Sequence, residues 1–313
     1  MAALLSQAIK PNLVQTTEGV PAFVHGGPFA NIAHGTNSIT ATHAALSYAD
    51  IVVTESGFAF ELGAEKFFDI NCRYGGFAPA CTVLVATIRA LKMHGGKPLA
   101  EISRPDVAAM ISGFSNMEKH VENIRKFGQP CVVAINHFPT DSEEEIATLK
   151  QHCKTLGVEA VEARPFSEGG KGCTELATVV RGLVAVSEAK FTPLYDWNAS
   201  IEQKIATIAR EMYGAHAVDY TARARRDREH LEKAGFGRLP VCIAKTQQSL
   251  SDNPALLGRP KDFLVTVREI QLAAGAGFVI PITGEIMRMP GLPKEPMANN
   301  FDLSDDGEIV FNR

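Results

Sequence analysis

The run Thr82 to Ala86, TVLVA, constrains the fold most, because every position is apolar or β-branched and the segment reads as a strand buried on both faces. Strands of this kind belong to parallel sheets covered by helices. Two further strand-like runs, Pro130 to Ile135 and Glu159 to Ala163, alternate with helical patterns over Asn116 to Phe127, Ser142 to Leu156 and Glu175 to Glu188. That rhythm predicts βαβ units and an α/β fold of three-layer, mostly parallel sheets. Arg89, Lys92 and His94 leave the first strand beside Gly95 and Gly96. At the carboxyl end of an α/β strand such a group either meets an anion or forms a solvated helical turn, and spacing alone leaves both open.

A length of 313 residues suits two or three domains, and 45% hydrophobic with 21% charged residues is the composition of a folded globular chain. The formal charge of −4 argues against a nucleic-acid partner. No apolar run is long enough for a membrane span and no signal-peptide pattern opens the sequence, so the expected location is cytoplasmic. Six cysteines lack CxxC spacing, and Cys81, Cys131 and Cys242 sit in apolar runs as small core residues. The nine histidines form no HxxxH or HExxH pair, so no dedicated metal site is expected.

Several segments carry candidate chemistry. The loop from His25, Gly26 and Gly27 to Asn31, continued by His34 to Ser38, combines glycines, imidazoles and a helix cap, and it suits either a ligand lining or a structural turn. Ile51 to Thr54 reads as a short buried strand, with Phe58 just beyond it. In the helix Leu62 to Ile70, Glu65 and Asp69 share a face, where they could handle Mg²⁺ or protons or form a solvated pair. Phe138 with Pro139, and Phe166 before Gly169 and Gly170, leave two successive strands, so adjacent pairing would present two rings to a flat heterocycle or two caps to the core. The GGKG at Gly169 to Gly172 is not a phosphate loop, and no GxxxxGK[ST] pattern occurs in the chain. The basic helix Thr221 to Ala234 interleaves acidic residues and reads as a salt-bridged surface. The remainder is β-rich: Val241 to Lys245, Phe263 to Leu272 with Phe263, Val265, Val267 and Glu269 on one face, and Phe278 to Ile282 read as strands.

VATIRALKMHGG, FVHGGPFANIAHG, LGAEKFFDI, FPTD, LPVCIAKTQ and ITGEIMRMPGLP, in this order, resemble segments of formate-tetrahydrofolate ligase. The resemblance covers essentially the whole chain but the later part of the family's polypeptide. It implies ATP-dependent formylation of tetrahydrofolate through formyl phosphate, with ATP and Mg²⁺, formate and tetrahydrofolate as reactants, a monovalent cation and a homo-oligomer. By resemblance Phe138, Pro139 and Phe166 hold folate, and His25, Gly26, Gly27, Asn31, Phe58 and Arg89 line the nucleotide and formyl-phosphate side. No catalytic residue is assigned, since the family's phosphate loop is not matched. The resemblance implies three parts: residues 1–97 from a P-loop-like nucleotide-binding domain, 98–235 as an α/β folate-stacking domain and 236–313 as a smaller β-rich α+β domain. It also suggests that the chain is inactive alone and completed by an N-terminal partner, the alternative being a non-catalytic folate-binding or scaffold remnant. The family usually shows Gly-Ala-Asp at Ala59-Phe60-Glu61, lysine at Asn71 and tryptophan at Phe166.

Overall fold

The computed structural model of the chain describes residues 5–27, 34–187, 190–284, 294–295, 299, 301–303 and 309–311. An antiparallel hairpin of β1 (Asn12–Gln15) and β2 (Pro21–Val24) leads to α1 (Ile39–Tyr48), whose cap Ser38 accepts the Ala41 N–H. A helical segment of wide π turns covers Phe60–Ala64 and Phe67–Cys72 and ends in an α turn at Arg73–Gly75. The middle of the chain is β3 (Thr82–Ala86), α2 (Ile88–His94), α3 (Val107–Lys126), β4 (Cys131–Asn136), α4 (Glu143–Thr155), β5 (Glu159–Ala163), the short α5 (Pro165–Glu168) and α6 (Thr174–Val186). Then come α7 (Ile201–Ile208), β6 (Ala217–Tyr220), α8 (Ala222–Lys233), β7 (Leu264–Ala273) and β8 (Phe278–Thr283), and the small hairpin of β9 (Phe301–Leu303) and β10 (Ile309–Phe311).

The fold is α/β, as the strand–helix rhythm predicts. β3, β4 and β5 form a parallel sheet in that order, with Leu84, Val133 and Ala160 in register. Val133 and Ile135 on one face pack with Ile88, Met110, Phe114, Ile146 and Leu149 from α2, α3 and α4. On the other face Val132, Ala134, Val161 and Ala163 are buried, with α6 packed against β4 and β5. The same face of β3 corrects the expectation of burial on both sides: Val83 is 37% and Val85 63% exposed, because α6 packs against β4 and β5. A second sheet pairs β6 parallel to β7 and β7 antiparallel to β8, with single bridges from Val241 and Ala244 extending it. The β3–β4 pairing bridges the sequence on either side of residue 97, and β6–β7 does the same around 235.

Three local readings are corrected. Residues 51–54 form no strand: Ile51 and Val53 are 49% and 87% exposed, so local apolarity there is not matched by a neighbouring sheet. Residues 241–245 make isolated bridges instead of a full strand. α3 begins at Val107, well before Asn116, capped by Asp106, which accepts the Ala109 N–H at 2.9 Å. Gly113 looks like a helix breaker but is a contact point: a Cβ there would lie 1.9 Å from the Leu91 carbonyl oxygen, and one on Gly95 would lie 1.8 Å from that of Ala109. The two glycines let α2 and α3 cross with their backbones touching.

Candidate functional site

The parallel strands deliver the ring-bearing loops to one edge. The last ladder bond, His137 N–H to the Ala163 carbonyl at 2.9 Å, immediately precedes Phe138, and Phe166 follows Ala163 by three residues on α5. Phe138 is half-buried and Phe166 is 92% exposed. The first loop is held as a closed ring: the Asp141 carboxylate accepts the Phe138 N–H at 2.9 Å, and the Asp141 N–H returns to the Phe138 carbonyl at 2.9 Å. Arg89, at the start of α2, lays its guanidinium 4.1 Å from the Phe138 centroid and donates to the Thr140 hydroxyl at 3.1 Å. Its Nε–H is buried and has no hydrogen-bond partner among the described residues.

Lys92 and His94 do not join Arg89 at this edge. Because α2 is a full helix, they turn away from it. Lys92 is fully buried and donates to Glu145 and to the Arg104 carbonyl, each at 3.0 Å, while His94 accepts the Gly258 N–H at 3.2 Å. Glu145 is a node: one carboxylate oxygen takes Lys92 and the Asp106 N–H at 2.8 Å, the other takes the Ser142 N–H and hydroxyl at 2.9 Å. Burial pushes its carboxyl up, but these donors outweigh that and hold it below the usual carboxylate range. It thereby fixes α2, which carries Arg89, against the start of α4, which follows the Phe138 loop.

The glycine-rich loop forms a second locality. Both nitrogens of His25 are engaged, Nε2 donating to the Ala8 carbonyl at 2.9 Å and Nδ1 meeting the Ser38 hydroxyl at 2.6 Å. The residue therefore ties the hairpin to the cap of α1. Gly26 has φ +67, and Gly27 borders open space. Asn31 lies outside the described residues. Phe58 is half-exposed with φ +63, a conformation that a bulky residue adopts only under strain. A Cβ on Gly63 would lie 2.0 Å from the Gly57 carbonyl oxygen, and one on Gly35 would lie 2.3 Å from that of Gly63, so the two loops close on the wide helix through these glycines. Arg89 makes its contacts with Phe138 and Thr140, in the first locality.

Below these loops lies a buried set of charges that local spacing did not reveal. Glu61, Glu65, Lys66, Asp69 and Lys245 are each at most 1% exposed. Lys245 donates to Glu61 at 3.1 Å, to the Thr246 carbonyl at 2.9 Å and to the Ser249 carbonyl. Burial raises Glu61, but Lys245 and then His120 hold it below the usual range. The expected solvated pair of Glu65 and Asp69 is instead fully enclosed. Burial, with Asp69 adding to it, pushes Glu65 well up, and burial takes Asp69 to about 7 against the Leu194 N–H and Arg73. Neither Glu65 oxygen has a hydrogen-bond partner among the described residues, and the neighbouring Lys66 charge works against its burial. Among the described residues no three acidic, imidazole or thiol groups converge on one point.

A family model described as formate-tetrahydrofolate ligase matches residues 1–311. The chain belongs to the formate-tetrahydrofolate ligase family. These are ligases of one-carbon metabolism that use ATP to join formate to tetrahydrofolate. Phe60, Glu61 and Asn71, where the resemblance implies other residues, have identifiable places. Phe60 packs its ring on Phe68 and Phe127, and Glu61 reaches Lys245. Asn71 is buried and donates to the Asn37 carbonyl at 3.3 Å, with His34 Nδ1 at 2.9 Å, so it anchors the glycine-rich loop from below.

Proposed function

We propose that this chain supplies the folate-holding part of the family's reaction, with the pterin held between Phe138 and Phe166 at the carboxyl edge of β4 and β5. The observation that carries this reading is the departure of both rings from neighbouring parallel strands, one beside a stacked guanidinium and the other almost wholly exposed. Stacking on such rings contributes about 0.5–1.5 kcal/mol beyond area burial. His25, Gly26, Gly27 and Phe58 serve the formyl-phosphate side, where glycine backbone admits an anion closely.

The chemistry requires ATP to phosphorylate formate. The N10 amine of tetrahydrofolate then attacks the formyl carbon, the C–O bond to phosphate breaks, and the amine loses its proton. Phosphoryl transfer depends on cations placed around the phosphates, and the chain contains no GxxxxGK[ST] loop to supply them. The phosphate loop of the nucleotide site lies outside these 313 residues in this proposal, with Mg²⁺ entering on ATP and the monovalent cation and cytoplasmic setting following the family. The open face of β3 and the exposed Leu13, Val14 and Val24 of the hairpin are apolar surface for a phosphate-loop portion to cover.

Tetrahydrofolate titrated into the purified chain should bind, and F138A or F166A should weaken binding by roughly threefold to tenfold, while F166W should tighten it. Turnover should appear only after a phosphate-loop polypeptide is added. Binding without restorable turnover would leave a folate-binding scaffold, and equal binding by all three variants would remove the ring site.

A further inference from the structure

We propose that Asn71 is a positioning residue that holds the His34 imidazole with its one proton on Nε2, and that this N–H donates a hydrogen bond to the formate-derived anion of the family's reaction. The orientation of the Asn71 amide decides the tautomer. Its Nδ2 lies 3.3 Å from the Asn37 carbonyl, which can only accept, so the amide turns its NH₂ group and not its oxygen that way. The same Nδ2 lies 2.9 Å from His34 Nδ1, so its second proton occupies the lone pair of that nitrogen and the ring carries its own proton on Nε2. The reversed amide would set oxygen against oxygen at the Asn37 carbonyl. Asn71 is 1% exposed, so water does not compete for either bond.

Of the two imidazoles in the glycine-rich loop, His34 is the one with a nitrogen to offer. His25 spends both of its nitrogens on Ala8 and Ser38, whereas His34 Nε2 has no hydrogen-bond partner among the described residues. The backbone beside it is fixed, because a Cβ on Gly35 would lie 2.3 Å from the Gly63 carbonyl oxygen and 2.4 Å from the Phe67 nitrogen. A proton on Nδ1 would face the Asn71 N–H, so the ring resists becoming imidazolium. Burial works in the same direction, lowering the affinity of His34 for a second proton against the opposite pull of its own backbone, with no charged side chain contributing. A donor of fixed protonation keeps the same charge while formate gains and loses its phosphoryl group. The identity of the anion rests on the formyl-phosphate reading of this loop.

The test uses the full chain labelled with ¹⁵N-histidine and ¹⁵N-glycine, as the parent and as N71A, N71K, H34A and H34Q. The ring signals lost in H34Q locate His34, and in the parent they should show the Nε2–H pattern at about pH 7. N71A should average the two tautomers and raise the His34 titration midpoint, while N71K, which restores a donor, should return both to the parent values. Formate should shift the His34 Nε2–H signal and the Gly26 and Gly27 amides. Its midpoint should rise about twofold in N71A, where the competent tautomer is only part of the population, and about tenfold in H34A. H34Q, whose amide nitrogen stands in for Nε2, should bind formate close to the parent. A parent ring protonated on Nδ1, or a His34 pattern unchanged in N71A, overturns the role of Asn71. Formate shifting both glycines equally in the parent, H34A and H34Q overturns His34 as the donor and leaves the formyl-phosphate side of the loop standing. Formate moving neither His34 nor the glycines removes that reading and this proposal together.

Discussion

Replacing Glu145 with alanine is expected to cost the fold about 3–5 kcal/mol in urea denaturation, because Lys92 would be left as an uncompensated charge in the interior. Both partners are fully buried, and the Asp106 and Ser142 N–H groups would lose their acceptor at the same time. E145Q should cost less, since an amide oxygen still accepts one of those donors. The double change K92M/E145L should recover much of the loss, because an apolar pair leaves no buried charge behind. A cost below about 1 kcal/mol for E145A would show that the pair is solvated in practice. Since the folded-state carboxyl lies below its usual range, this stabilisation is present above the unfolded-chain pKa and is lost as pH falls through the folded value. The site should register the change too: with α2 loosened from α4, the Arg89 guanidinium loses its fixed place on Phe138, and folate binding should weaken in E145A.

The second large effect is on pH dependence, through Asp69. Burial takes its carboxyl from 3.8 to about 7, so the folded chain holds a proton that the unfolded chain releases. Between those values the unfolded state binds fewer protons at this group, and its contribution to stability falls as pH rises; above about 7 the loss from Asp69 is complete and constant, while the raised Glu65 carboxyl adds a loss of the same sign. D69N removes this slope while its amide oxygen still accepts the Leu194 N–H, which now bonds Asp69 at 2.8 Å. The variant should be more stable than the parent by on the order of 2–4 kcal/mol at pH 8, with the gap closing toward pH 4. Urea midpoints at three pH values decide it: parallel curves for the two proteins would mean that Asp69 is ionised throughout.

Much of the architecture was legible because it is written locally. TVLVA and the two later runs fall on β3, β4 and β5, and Ser142 caps α4 with Glu145 completing a capping box. The β-rich end was equally plain, with Phe263, Val265, Val267 and Glu269 all buried. The errors share a cause. Glu65 and Asp69 have the same spacing on a wet helix as on an enclosed one, and the difference is made by segments far away, around Leu194 and Tyr195. Ile51 to Thr54 has the composition of a buried strand, yet no strand pairs with it among the described residues. Lys92 and His94 share a short helix with Arg89, but a glutamate from α4 claims one and the Gly258 loop the other.

The Glu61–Lys245 pair joins positions 184 residues apart. During synthesis Glu61 emerges from the ribosome long before its ammonium partner, so the wide helix cannot settle into its final surroundings co-translationally. Until the last quarter of the polypeptide appears, that segment must stay hydrated or be sheltered by a chaperone.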